Sequence, residues 1–262
     1  MRNYSKETLE RAKQLRVIDD TLFRLIASRK GVCQEILRTL LDDECLEVIE
    51  VTPQQVMNSL ERSIVLDALC KMKTGELCNI EMQKSDSNDD IKRVRFHASL
   101  ITANKTPKGT AFRDIPTVKV LYITEYDALN NNQSVTHISR CQKIGNEYIP
   151  VDDGEDIIFA NTAVKKNDRY SKLLQLFLKN ESFYEKDYPE LSEAVKHFKD
   201  TEKGRDEMCS IIEEYAVDKA IDATIESFKH CGKTLKETIE YVTSKYETTE
   251  AYVTEKYNLS KN

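Results

Sequence analysis

Two β-rich runs separated by a three-residue turn constrain this chain more than any other feature. Residues 63–72 and 76–83 are rich in Ile, Val, Leu and Met, and Lys73-Thr74-Gly75 lies between them. A three-residue hairpin loop commonly places its last residue in the left-handed region, where glycine carries no steric cost. The pattern therefore predicts a β-hairpin in which Gly75 closes the turn.

The register of this hairpin brings two carboxylates together. If Met72 faces Glu76, then Asp67 lies directly across from Glu81, with Cβ atoms about 5 Å apart. Strand alternation places Gln83 on the same face as Glu81. Like charges that face each other destabilise a sheet, so a positive partner is expected between the two carboxylates.

The spacing alone leaves two interpretations of the acidic pair open. One is a divalent-cation site, because Mg²⁺ binds through one or two carboxylates together with phosphate oxygens. The other is a polar face of an edge strand, on which Arg62 or Lys84 balances the negative charge.

The other β-rich runs are confined to the middle of the chain. They predict strands over residues 47–51, 117–124, 135–141 and 156–161, and Pro53 is expected to end the first of them. Apolar residues spaced by three and four predict helices over residues 7–42, divided at Gly31, and over residues 89–103. These elements together predict an α/β fold in which helices flank a mixed central sheet.

The chain changes character after Asn161, where β-rich runs end and helical periodicity continues. We expect a first domain over residues 1–185 and a C-terminal helical extension over residues 186–262. Within the extension, residues 238–247 recur in similar form as residues 249–258. An eleven-residue repeat is close to three helical turns, which predicts one shared helix face. This face is a candidate surface for packing or for a partner, including self-association, and the alternative is a duplicated helix without a function of its own. That face would carry Tyr241, Val242, Tyr252 and Val253.

Charge and composition exclude several functions. The net charge is −6, which argues against binding nucleic acid through bulk electrostatics, so DNA contacts would need local basic patches. The seven cysteines include no CxxC pair and no apolar run approaches the roughly 20 residues of a membrane span, so a cytoplasmic protein with reduced thiols and no membrane contact is expected. The chain also lacks Gly-rich phosphate loops and zinc-type His/Cys spacing.

Four short segments carry a further signal: Arg62-Ser-Ile-Val-Leu-Asp67, Thr74-Gly75, Asn79-Ile-Glu-Met-Gln83 and Arg93-Val-Arg95. Together they resemble the core motif of a known family, the Rpn recombination-promoting nucleases and transposases of the PD-(D/E)XK superfamily. Upstream, Asp20-Thr-Leu-Phe-Arg24 is similar to the family's early Asp-x-x-Phe-basic motif. The similarity extends over about residues 17–180, and the string Asn-Ile-Glu-Met-Gln after an Asp-bearing strand is its specific part.

The resemblance implies a restriction-endonuclease-like fold and Mg²⁺-dependent cleavage of DNA in recombination or in mobile-element and phage-related processing. Asp67 and Glu81 would be the metal-binding carboxylates, and Gln83 stands where the superfamily usually has Lys. Asp20 has two interpretations, a further acidic ligand or the N-cap of a helix. Because Gln can only form hydrogen bonds, the missing positive charge would come from nearby basic residues. Expected DNA contacts are Arg62, Lys84, Arg93 and Arg95.

Two functional hypotheses follow. The first is an active endonuclease, which would cut both DNA strands as a homodimer if each protomer holds one site. The second is a nuclease-derived interaction or regulatory protein that no longer cleaves and acts through its helical tail.

Overall fold

The computed structural model describes residues 4–59, 64–86, 88 and 90–259. Three helices come first: α1 (Lys6–Gln14), α2 (Asp20–Ala27) and α3 (Lys30–Leu40). The predicted division at Gly31 is wrong, because the chain turns at Ser28 and Arg29 and Gly31 lies inside α3. A Cβ atom at Gly31 would come within 2.5 Å of Oε2 of Glu190, the end of a flexible side chain.

A mixed six-stranded sheet is built from strands between Val48 and Asn161. The strands and the helix between them are β1 (Val48–Met57), β2 (Ile64–Met72), β3 (Leu77–Gln83), α4 (Asp90–Lys105), β4 (Val118–Thr124), β5 (Val135–Ile138) and β8 (Glu155–Asn161). Their order across the sheet is β1-β2-β3-β4-β8-β5, and the β3-β4 and β4-β8 pairs are parallel while the others are antiparallel. The predicted α/β fold with a mixed central sheet is confirmed.

Two predictions about the strands need correction. Pro53 does not end β1, which continues to Met57; β1 is an edge strand, where a residue without a backbone N–H is tolerated. The predicted strand over residues 135–141 divides in two, because β5 ends at Ile138. Cys141 instead begins a separate exposed hairpin, β6 (Cys141–Ile144) with β7 (Glu147–Pro150).

Helices cover both faces of the sheet. On one face α4 packs against a core that includes Leu69, Leu77 and Phe159. Cys70, the neighbour of Leu69 on β2, contacts Cys33 of α3. Since successive strand residues point to opposite faces, α3 covers the other side of the sheet.

The chain after Asn161 is helical, as predicted. Its helices are α5 (Arg169–Leu176), α6 (Pro189–Asp200), α7 (Glu202–His230), α8 (Leu235–Tyr246) and α9 (Glu250–Leu259). None of the helices in the described ranges combines the length and the apolar character that a bilayer span requires.

Contacts divide the chain into two compact units, residues 13–205 and residues 1–12 together with 206–262. The larger unit contains the sheet and also α6, whose first backbone amides, at Glu190 and Leu191, donate to the carboxylate of Glu35 on α3. The domain boundary expected at residue 185 stays a prediction.

The repeated segment of the tail does not form one helix face. Glu247 adopts a left-handed conformation with a φ of 49°, which ends α8 and separates it from α9. Val242 and Val253 are both fully buried, and they meet inside the smaller unit in a cluster with Ile221 and Ile225. The repeat thus packs two helices within one chain.

Candidate active site

The hairpin of β2 and β3 has the predicted register. Paired residues run from Lys71 with Leu77 to Ala68 with Ile80, and Gly75 closes the turn with a φ of 93°. Beyond Ala68 and Ile80 the ladder is replaced by hydrogen bonds from side chains.

Asp67 and Glu81 form these replacement bonds. Oδ2 of Asp67 accepts a hydrogen bond from the backbone amide of Met82 at 2.8 Å. The amide of Asp67 in turn donates to Oε1 of Glu81 at 3.3 Å. The two carboxylates are therefore built into the hairpin itself, at the end where the ladder stops.

Two further polar side chains surround Glu81, which is only 7% exposed. Nδ2 of Asn79 donates to Oε1 of Glu81 at 2.7 Å, from two residues earlier on the same strand. Nδ1 of His97, on the inner face of α4, lies 3.4 Å from the same oxygen. Both residues are buried.

Sequence reasoning missed these two partners. Asn79 carried a weak signal, because residues two apart on a strand share a face. For His97 the chain offered only its place among the apolar residues of a helix, a pattern that does not show which strand it will meet.

In each carboxylate, one oxygen accepts a hydrogen bond from the protein and the other accepts none from the described residues. Oδ2 of Asp67 and Oε1 of Glu81 have the partners given above. Among the described residues no hydrogen bond reaches Oδ1 of Asp67 or Oε2 of Glu81. The pair thus offers two oxygen ligands whose carboxylate groups are already oriented.

The electrostatics of the pair favour a cation. Burial, and next the charge of Glu81, raise the pKa of the Asp67 carboxyl well above its usual range, against the hydrogen bond from Met82. The charge of Asp20 adds to the same increase. An ionised Asp67 is therefore unfavourable here unless a positive group compensates the charge.

Asp20 is the first residue of α2, and the N-cap is Asp19, so the N-cap interpretation of Asp20 is wrong. Asp20 lies close enough to Asp67 to influence its ionisation. In the described ranges, however, no three His, Cys, Asp or Glu side chains are gathered into a group that could hold a metal. Asp20 therefore adds negative potential without completing a three-ligand group with Asp67 and Glu81.

The residues next to the pair carry the remaining predictions. Gln83 is half-buried, and its Nε2 donates to the carbonyl of Ser85 at 2.6 Å. The ammonium group of Lys84 forms an ion pair with Asp19, next to Asp20. Position 83 therefore carries no positive charge, and the charge of the neighbouring Lys84 is paired with Asp19.

The arginines predicted to contact DNA differ in their exposure to solvent. Arg95 is exposed on the outer side of α4, about 200° around the helix from His97. Arg93 is half-buried, near the phenol of Tyr122. Arg62 lies outside the described residues.

The first turn of α4 is anchored to the sheet. Oδ1 of the buried Asp90 accepts hydrogen bonds from the hydroxyl groups of Tyr122, at 2.8 Å, and Tyr126, at 2.7 Å. Burial and then the bond to Asp90 raise the pKa of both phenols. Because Tyr122 pairs with Glu81 across β3 and β4, this anchor fixes the helix that carries His97 close to the acidic pair.

The donor set fits a hard divalent cation. Two open carboxylate oxygens are the usual protein contribution to a Mg²⁺ site, which is completed by water and substrate phosphate oxygens. The raised pKa of Asp67 is the response expected of a carboxyl group that is first buried and then placed beside a second carboxylate.

Comparison with known proteins gives one result. A family model described as "PD-(D/E)XK nuclease family transposase" matches residues 19–159, which is more than half of the chain and includes the hairpin and α4. The searches of curated proteins and of solved structures produced no match.

Proposed function

The chain belongs to the PD-(D/E)XK nuclease family transposases, and from this premise we propose that it is a Mg²⁺-dependent DNA endonuclease. It would hydrolyse phosphodiester bonds in recombination or in mobile-element and phage-related DNA processing. Membership of this family supports a nuclease-type enzyme. We propose in addition that the cation is Mg²⁺, that the substrate is DNA and that the role is in these processes.

One observation carries the proposal. Asp67 and Glu81 face each other from paired strands, and each keeps one oxygen free of hydrogen bonds from the described residues. Neither open oxygen is sealed from solvent, so a cation with its water ligands can reach both. Among the described residues the pair contacts no Lys or Arg side chain, and the neighbouring Lys84 forms an ion pair with Asp19 instead.

The residues of the site would have separate roles in this reaction. Asp67 and Glu81 would hold the cation through their open oxygens, and the amides of Met82 and Asp67 with Asn79 would keep the carboxylates oriented. A cation bound there lowers the pKa of a bound water and neutralises charge on the scissile phosphate. Gln83 would orient water or phosphate by hydrogen bonding only, because a side-chain amide has no ionisable group that acts as a general acid or base at neutral pH.

Positive charge for the transition state would come from Lys84. Its ammonium group lies beside Asp19 at the start of α2 and is partly exposed, so a phosphate could compete for it. Electrostatic stabilisation of developing charge on phosphate is the role that a Lys at position 83 would otherwise fill.

DNA would approach along the exposed side of α4 and the loop that follows it. Lys92, Arg95, Lys105 and Lys108 are all exposed there. Local cation clusters of this kind allow phosphate contacts in a chain whose net charge is −6.

The experiment is plasmid nicking by the full-length protein with Mg²⁺ and with EDTA. Asp67→Asn, which keeps the size of the side chain and an acceptor for the Met82 amide, should abolish nicking. Asp156→Asn is the matched control, because Asp156 is an acid of the same sheet that contacts His137 instead of the acidic pair. Nicking by Asp67→Asn at the wild-type rate would refute the proposal.

The second hypothesis, a catalytically inactive interaction protein, has one observation in its favour. Gln83 replaces the usual Lys and its amide is engaged by Ser85. This hypothesis predicts that the wild-type protein leaves the plasmid intact at every Mg²⁺ concentration, so the same assay separates the two.

A further inference from the structure

His97 is a buried polar residue that the proposed reaction leaves without a role. It is 7% exposed, and its Nδ1 lies 3.4 Å from Oε1 of Glu81. This nitrogen is shielded from solvent and forms no hydrogen bond in the described part of the molecule. Buried polar atoms are nearly always paired, and an exception calls for a functional explanation.

We propose that His97 is a positioning residue that holds the Glu81 carboxylate in the orientation required for cation binding. The inference rests on the proposed function, because it assumes that Oε2 of Glu81 binds the cation. His97 would donate a ring N–H to Oε1, which leaves Oε2 available to the cation.

The existing bonds to Glu81 explain why a third donor matters. Asn79 and the Asp67 amide both approach Oε1 from the hairpin, at 2.7 Å and 3.3 Å. Both donors belong to the hairpin, so neither of them ties the carboxylate to α4. A donor from α4 holds the same oxygen from a separate element, and partners of this kind orient metal-binding carboxylates.

The position of His97 is itself fixed. The first turn of α4 is held by the bonds of Tyr122 and Tyr126 to Asp90, which lies seven residues before His97 and so on the same side of the helix. The distance of 3.4 Å is long for an N–H···O bond, and hydrogen bonds at catalytic sites often shorten when the site is loaded. His97 is thus placed to tighten its contact when a cation draws on Oε2.

The test measures Mn²⁺ binding to the full-length protein by calorimetry at one pH, without DNA. Mn²⁺ is a suitable probe because it accepts the same oxygen ligands as Mg²⁺. His97→Leu should bind Mn²⁺ at least about 10-fold more weakly than wild type, the loss typical for such partners. His97→Gln, which retains an N–H donor, should recover most of the affinity, and His137→Leu should bind like wild type.

Melting curves in EDTA check that each variant is folded. If His97→Leu is unfolded, His97→Phe replaces it, since the ring keeps its shape and loses its N–H groups. Wild-type affinity in the folded Leu or Phe variant would overturn the inference. So would an equal loss in the Leu and Gln variants, because a donor would then not be the property that matters.

The same titrations separate this inference from the proposed function. If the wild-type protein does not bind Mn²⁺, or if Asp67→Asn binds it equally well, the metal site and the proposed function are refuted. If wild type binds through Asp67 and His97→Leu matches it, only the role of His97 is refuted.

Discussion

The backbone amide of Asp67 donates a hydrogen bond to Oε1 of Glu81, so one acidic residue of the pair helps to hold the other. The carboxylate of Asp67 makes the return contact to β3 through the amide of Met82. A sheet normally closes such positions with ladder bonds. Here the side chains of two acids replace the ladder, which brings their carboxylates together.

Metal-free protein should lose stability as the pH rises. The pKa of Asp67 is raised above its ordinary value of 3.8, first by burial and then by Glu81. Its stabilising contribution is therefore complete below the ordinary pKa and is lost as the pH rises through the raised pKa of the folded state. Melting temperatures in EDTA should fall over this range for wild type and change less for Asp67→Asn. Parallel curves for the two proteins would contradict the assignment.

Glu81→Gln should abolish cleavage without unfolding the protein. The Gln amide oxygen still accepts hydrogen bonds from Asn79 and from the Asp67 amide, while the like-charge repulsion with Asp67 disappears. In EDTA the melting temperature should equal or exceed that of wild type by a few degrees, with plasmid nicking at background. A large drop in melting temperature would mean that Glu81 is a structural partner whose charge the fold requires.

The sequence was informative about Asp67 and Glu81 for a local reason. A three-residue loop ending in Gly75 fixes the register of the hairpin, and alternation then determines which side chains share a face. The expectation that Pro53 ends its strand was wrong, because a single sequence does not show that β1 is an edge strand, where proline is tolerated.

The contacts that the sequence did not predict join segments that are far apart in the chain. The meeting of His97 with Glu81 depends on how α4 packs across β3, which no spacing within α4 encodes. The pairing of Lys84 with Asp19 joins segments 65 residues apart. The helix start at Asp20 was misjudged by one residue, a difference that local propensity does not resolve.

DNA affinity should depend steeply on salt, and replacing Arg93 and Arg95 together should flatten that dependence. Each lost phosphate contact reduces the slope of log affinity against log salt by roughly 0.9. The double change to Gln should therefore lower both affinity and slope in a Ca²⁺ buffer that prevents cleavage. Lys73→Gln is the matched control, because its charge is already paired with Glu47 at 2.7 Å. An unchanged slope in the double variant would exclude these arginines from the DNA surface.

Val253→Ala should destabilise the smaller unit, because the repeated segments pack against each other and bury this side chain completely. Removing two methyl-sized groups from a closed core costs roughly 1–3 kcal/mol, the transfer term plus a residual cavity. Glu255→Ala, on the exposed side of the same helix, removes more atoms and should cost much less. Hydrogen exchange over residues 206–259 measures both effects directly. If Val253→Ala leaves protection in α8 and α9 unchanged, the valine is not packed as described. If the tail instead associates between chains through this face, the loss of protection in Val253→Ala will grow as the protein is diluted.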